Sequence, residues 1–167
     1  MKHVLLLFVV LMHLTIANAQ NNMQARIAYE EAEAAFAEEN FNTALVHINK
    51  TESLLGQWTP KVGYLKIILL DKQIDYATPS ADLQELNKQV SAYMKYAEKA
   101  GNTIDMDKFK HVYAIEQKLK AKLLEVEWKK MPEYVAGDEA YSDKEYTLAI
   151  SHFKKAVDKG NGLAMYD

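Results

Sequence analysis

The 167-residue chain reads as an all-α protein of about seven helices behind a removable N-terminal leader. Three observations predict this. Apolar residues recur every three or four positions through almost the whole chain, and no useful length alternates apolar with polar as a half-buried strand would. The breaks in that periodicity fall at Asn40, Thr59, Thr78, Gly101-Asn102, Met131 and Gly160 to Gly162. The prolines, Pro60, Pro79 and Pro132, each stand where a helical pattern restarts, the position at which a missing N–H costs least.

Residues 1–19 have the three parts of a secretory signal. Lys2 gives the positive start, Val4 to Leu14 an apolar core, and Ala17-Asn18-Ala19 an A-x-A cleavage site. A membrane span would need about twenty apolar residues, and Asn18, Gln20, Asn21 and Asn22 arrive too soon. Cleavage after Ala19 is expected, leaving a periplasmic or secreted chain with no membrane anchor. A basic set dominated by lysine, with Arg26 the only arginine, has a bacterial style. Asn49-Lys50-Thr51, a glycosylation sequon on paper, lies inside a predicted helix and reads as chance.

Cysteine is absent, which rules out disulfides, thiolate metal sites and a lipid-bearing cysteine. The whole chain carries a net charge of −3, and losing Lys2 with the leader makes it one unit more acidic. Such a balance carries no electrostatic footprint for nucleic acid.

Helix one is expected from about Gln24 to Glu38, rich in alanines (Ala28, Ala32, Ala34, Ala35, Ala37) that suit close approach of a neighbour. Helix two, about Phe41 to Leu55, carries Phe41, Ala44, Leu45, Ile48 and Leu55 on one stripe. Helix three, about Lys61 to Tyr76, contains YLKIILL and is apolar round most of its circumference, so it should lie between other helices. Helix four, about Ala81 to Lys99, spaces Leu83, Leu86, Val90, Tyr93 and Ala97 for one buried face. The segment from Asp105 to Lys130 bears two stripes, Val112-Ile115-Leu119-Leu123-Val126 and Phe109-Tyr113-Leu124-Trp128, which implies contacts on two sides. Helices six (about Glu133 to Ser142) and seven (about Lys144 to Lys159) form a hairpin.

That last hairpin has a recognisable packing code. Gly137, Ala140, Tyr146, Ala149, Phe153 and Ala156 resemble the consensus of tetratricopeptide and Sel-like repeats, with an early glycine in one helix and an A-x3-F step in the next. Placing Phe41 on Tyr146, an offset of 105 residues, puts Ala32 on Gly137, Ala35 on Ala140, Ala44 on Ala149, Ile48 on Phe153 and Thr51 on Ala156. Small falls on small and large on large, at about three steps of the 34-residue tetratricopeptide period. The resemblance implies a helical-hairpin repeat solenoid. It is good over 132–160, fair over 24–56 within a degenerate hairpin spanning 20–59, and poor over the divergent helical region 60–131. Residues 161–167 resemble the opening of a further, truncated repeat.

Catalytic signatures are missing. Neither a G-x-S-x-G elbow, nor a P-loop, nor a dinucleotide-binding turn, nor H-E-x-x-H occurs. Beyond the leader, His47, His111 and His152 stand far apart without a metal-ligand spacing. Asp105-Met106-Asp107 reads as a helix cap rather than a metal motif. No enzyme activity, cofactor or metal is expected. Tyr64, Tyr93, Tyr113, Tyr141 and Tyr146 are expected in or beside the core, whereas Tyr29, Tyr76, Tyr96 and Tyr134 are candidates for exposed anchors.

Repeat families of this kind hold partners on a concave surface lined by the first helix of each pair. Here those helices are acidic, and the lysine and asparagine of a carboxylate clamp are missing from them. The expectation is a protein- or peptide-binding scaffold for a basic or neutral partner, with Tyr29, Glu30, Glu33, Tyr134 and Asp138 as the candidate surface. The alternative is a helical arm of an envelope enzyme whose catalytic domain lies beyond residue 167.

Overall fold

A computed structural model describes the backbone of residues 2–76 and 81–163, and the side chains of 20–76 and 81–160. The leader reading of 1–19, the break at Thr78-Pro79 and the further repeat over 161–167 fall partly or wholly outside these. The described residues form seven α-helices, one 3-10 turn (Gly101–Thr103) and no strand, so the all-α class holds. The helices are α1 (Lys2–Ala37), α2 (Phe41–Leu55), α3 (Pro60–Gln73), α4 (Ala81–Ala100), α5 (Met106–Lys129), α6 (Pro132–Ser142) and α7 (Tyr146–Leu163).

Three bounds differ from the sequence reading. The first helix starts at Lys2 and passes Ala19 without a break. The third stops at Gln73, where Ile74 turns extended and its N–H closes on the Leu70 carbonyl. The last helix runs on through the expected turn at Gly160 to Gly162. At Gly160 the missing side chain serves packing instead, because a Cβ there would lie 2.5 Å from Nε1 of Trp128.

The chain divides into two compact units, Met1–Ile115 and Glu116–Asp167, with the boundary inside α5. In the first unit α1 pairs with α2, α2 with α3, and α3 with α4. Asn40 caps α2 by accepting from the Thr43 N–H at 3.3 Å, and Thr59 caps α3 by accepting from Val62 at 3.4 Å, with Pro60 at its first turn. Tyr29, Ala32 and Ala35 of α1, Ala44 and Ile48 of α2, and Val62, Leu65 and Leu69 of α3 make one buried cluster. Every residue from Leu65 to Leu70 is buried, as the apolar circumference of this helix predicts. The α4 stripe is likewise buried at Leu83, Leu86, Val90, Tyr93 and Ala97.

In the second unit α6 and α7 pair across Gly137, Ala140, Ala149 and Ala156, all buried. The Phe153 ring fills the space that a Cβ on Gly137 would need, 2.6 Å away, and lies 5.4 Å from the Tyr134 ring. Small residue and aromatic are thus one fitted pair.

The turns of the two hairpins match atom for atom. Asn40 N–H donates to Ala35 O at 2.9 Å and Glu39 N–H to Phe36 O at 3.0 Å; Glu145 N–H donates to Ala140 O at 2.8 Å and Lys144 N–H to Tyr141 O at 3.0 Å. Glu39 (φ 59°) and Lys144 (φ 64°) both take the left-handed conformation that closes a helix C-terminus. Each hydrogen bond and each positive φ recurs at the offset that aligned the sequences.

Candidate partner-binding surface

The five surface candidates sit on the first helix of each hairpin. Tyr29, Glu30 and Glu33 belong to α1 and the first unit, Tyr134 and Asp138 to α6 and the second. Tyr29 and Tyr134 are equivalent positions, as are Glu33 and Asp138, so each hairpin carries a tyrosine followed one turn later by a carboxylate.

Tyr29 is not an exposed anchor. It is only 9% exposed and belongs to the core cluster, with Lys61 Nζ 4.0 Å above its ring. Burial, then the nearby Glu33 carboxylate, pushes its hydroxyl well above the usual tyrosine range. Glu30 is exposed and takes Arg26 Nε at 2.9 Å, while Glu33 is exposed. An alanine-rich helix packs so closely that even a large ring at its edge is drawn in.

On α6 the arrangement is open. A cleft of about 710 Å³ runs along this helix, lined by Tyr134, Val135, Asp138, Glu139 and Asp143 among others. Three of these are carboxylates. The cation at the rim, Lys129, is held at 2.6 Å by Glu125, whose other oxygen takes Lys122 at 2.7 Å. Those two hydrogen bonds hold the Glu125 carboxyl down at about 2 and raise the Lys129 ammonium. Lys129 is therefore already paired, and the wall of the cleft stays acidic. Val135, Ser142 and Asp143 were not singled out by sequence: Val135 is a lone apolar residue in the first turn of α6, and Ser142 and Asp143 at its C-terminal end look like mere capping; Ser142 does donate to Asp138 O at 2.9 Å.

Several tyrosines change places with expectation. Tyr113, Tyr141 and Tyr146 are exposed, the last two as an edge-on pair 5.7 Å apart. The hairpin contact is made by small residues, which leaves no room for the flanking rings. Tyr93 is buried within a run of rings from Trp58 through Tyr96, Tyr93 and Tyr64 to His111, and burial pushes its hydroxyl to about 12.

The most chemically loaded spot was missed by sequence. Lys66 is buried in α3, its Nζ 2.6 Å from Glu52 of α2 and 3.0 Å from Glu85 of α4. Gln89 donates to Glu85 at 2.9 Å and accepts from Trp58 Nε1 at 3.0 Å. Burial opposes the Lys66 charge, but the hydrogen bonds it donates to both glutamates win and raise its pKa; burial likewise opposes the Glu85 charge, and the hydrogen bonds it accepts from Gln89 and Lys66 hold it low. The triad joins α2, α3 and α4 through one buried cation. Asp105 accepts from the Asp107 and Lys108 N–H groups, both at 3.2 Å, as a helix cap does. Among the described residues no group of three or more histidine, aspartate or glutamate side chains is placed to hold a metal, and no helix is long and apolar enough to cross a membrane.

No protein-family model, curated protein or solved structure matches the chain.

Proposed function

We propose that this is a non-enzymatic helical-hairpin repeat scaffold of the tetratricopeptide or Sel-like kind, exported to the periplasm or exterior, that holds a basic or neutral protein or peptide. The observation that carries the reading is the acidic cleft on α6, which contains Tyr134 and Asp138 and adds Glu139 and Asp143. Repeat solenoids present the first helix of each hairpin to their partners. The duplicated turn supports reading both hairpins as copies of one unit. With Lys129 tied to Glu125, the cleft offers carboxylates, a half-buried tyrosine and an exposed valine, a combination suited to a lysine- or arginine-bearing segment with apolar contacts.

The test is photo-crosslinking from position 135 in the native host. The reading expects a discrete protein adduct from this position, absent when the crosslinker stands at exposed Asn87 of α4 and lost in the Asp138→Lys variant. Equal adducts from both positions, or indifference to charge reversal, would overturn it.

A further inference from the structure

Among the described side chains of α1, packing begins at Ala25. Gln20, Asn21, Asn22, Met23 and Gln24 are all exposed, whereas Ala25, Ala28, Tyr29 and Ala32 are buried. The helix itself is unbroken from Lys2 to Ala37, so the bond between Ala19 and Gln20 lies inside it. A chain cut at that bond would begin with a helix whose first turn, Gln20 to Met23, holds no carboxylate. The first acidic residue of α1 is Glu30, about 15 Å further along the axis. The new α-ammonium would then sit at the positive end of the helix dipole, with no carboxylate of its own helix within a screening length of about 10 Å.

We propose that Gln20 is a modification site, closed to pyroglutamate as the first residue of the mature chain. The inference rests on the export reading above, through cleavage after Ala19, and not on the acidic cleft of α6. The chemistry is complete within one residue. The free α-amine attacks the side-chain carboxamide carbon, and a new C–N bond closes a five-membered lactam. The bond from that carbon to Nε2 breaks, and the nitrogen leaves as ammonia with a proton from the amine. An α-amine titrates at about 8, so a useful fraction is the uncharged nucleophile at neutral pH, and tethering to its own carboxamide makes the step intramolecular. Gln20 is exposed, so closing the ring disturbs no packing. The lactam is uncharged, which removes the ammonium from the positive end of the helix. It also denies aminopeptidases the free amine they grip, where only the exposed run from Gln20 to Gln24 separates the chain end from Ala25 of the core. The ring thereby seals the helix that carries Tyr29, Ala32 and Ala35 into the first core cluster.

The test is peptide mass spectrometry of the protein recovered from its native host. Proteolysis after Arg26 releases residues 20–26, QNNMQAR, and a heavy-isotope copy of that peptide with open glutamine, added before digestion, reports closure during handling. The expected N-terminal peptide is lighter than QNNMQAR by one ammonia, with fragment ions placing the loss at residue 20, while the heavy copy stays open. The intact protein should resist an aminopeptidase until a pyroglutamyl peptidase has removed the ring, whereas Gln20→Ala should be trimmed without that step. An open Gln20, a loss of ammonia at Asn21 or Asn22 instead, a first residue other than Gln20 after leader removal, or equal closure of the heavy copy overturns the proposal and leaves the export reading standing. A chain that still begins at Met1 overturns both.

Discussion

Replacing Lys66 by methionine would leave Glu52 and Glu85 converging on a site that has lost its cation. Both glutamates are partly exposed, so the cost should sit near the lower end for a broken buried ion pair, about 3 kcal/mol by chemical denaturation. Adding Glu52→Gln and Glu85→Gln to that variant should recover most of the loss; if it does not, the triad is not what the substitution broke. The pH dependence follows from the signs. Lys66 is raised, so its contribution is complete below the ordinary lysine value and fades as pH climbs through its higher folded value. Glu85 is lowered, so its contribution is complete above the ordinary glutamate value and fades as pH falls through its lower folded one. Stability should therefore decline as the medium becomes acid, and Glu85→Gln should flatten that limb of the curve; an unchanged acid limb would contradict the assignment.

At the scale of the helix pair, Gly137 with Phe153 and Ala32 with Ile48 are two solutions to one volume. Alanine normally stabilises a helix over glycine by about 1 kcal/mol, yet Gly137→Ala would drive a methyl into the Phe153 ring. The expected result is a net loss of about 1 to 3 kcal/mol. Gly137→Ala with Phe153→Ile copies the first hairpin and should melt close to the parent; an additive double variant would show that the pairs are not equivalent. The turns give an independent check. Glu39 and Lys144 pay for a left-handed backbone that glycine adopts freely, so Glu39→Gly and Lys144→Gly should each raise stability, by about 0.5 to 1 kcal/mol. This pairing was legible in sequence because it depends on residue size at fixed spacing. The exposed Tyr141 and Tyr146 were not, since spacing places a ring beside a stripe without saying whether alanine contacts leave room for it.

Across the molecule, α3 is the most enclosed element described, and its apolar run announced as much. What the run concealed was the lysine within it, because the glutamates that neutralise Lys66 come from α2 and α4 and only folding brings them there. Gly160 misled in the opposite way. Its sequence context with Gly162 suggests a turn, whereas the Trp128 ring that explains it lies in another helix. Native-state hydrogen exchange should find the slowest amides of the first unit between Leu65 and Leu70, opening only with global unfolding. The acidic cleft was half visible. Tyr134, Asp138 and Glu139 could be read from helix position, while Asp143 enters it only through the hairpin turn.

The account stands most directly on the charge of that cleft. The measurement is the equilibrium affinity of the partner captured from position 135, titrated at about 50 mM and about 500 mM salt, across which screening shortens from roughly 14 to 4 Å. An acidic α6 surface gripping a basic segment predicts a loss of about tenfold or more across that range, diminished in Asp138→Lys; an affinity that stays flat would show that the carboxylates of α6 are not the contact.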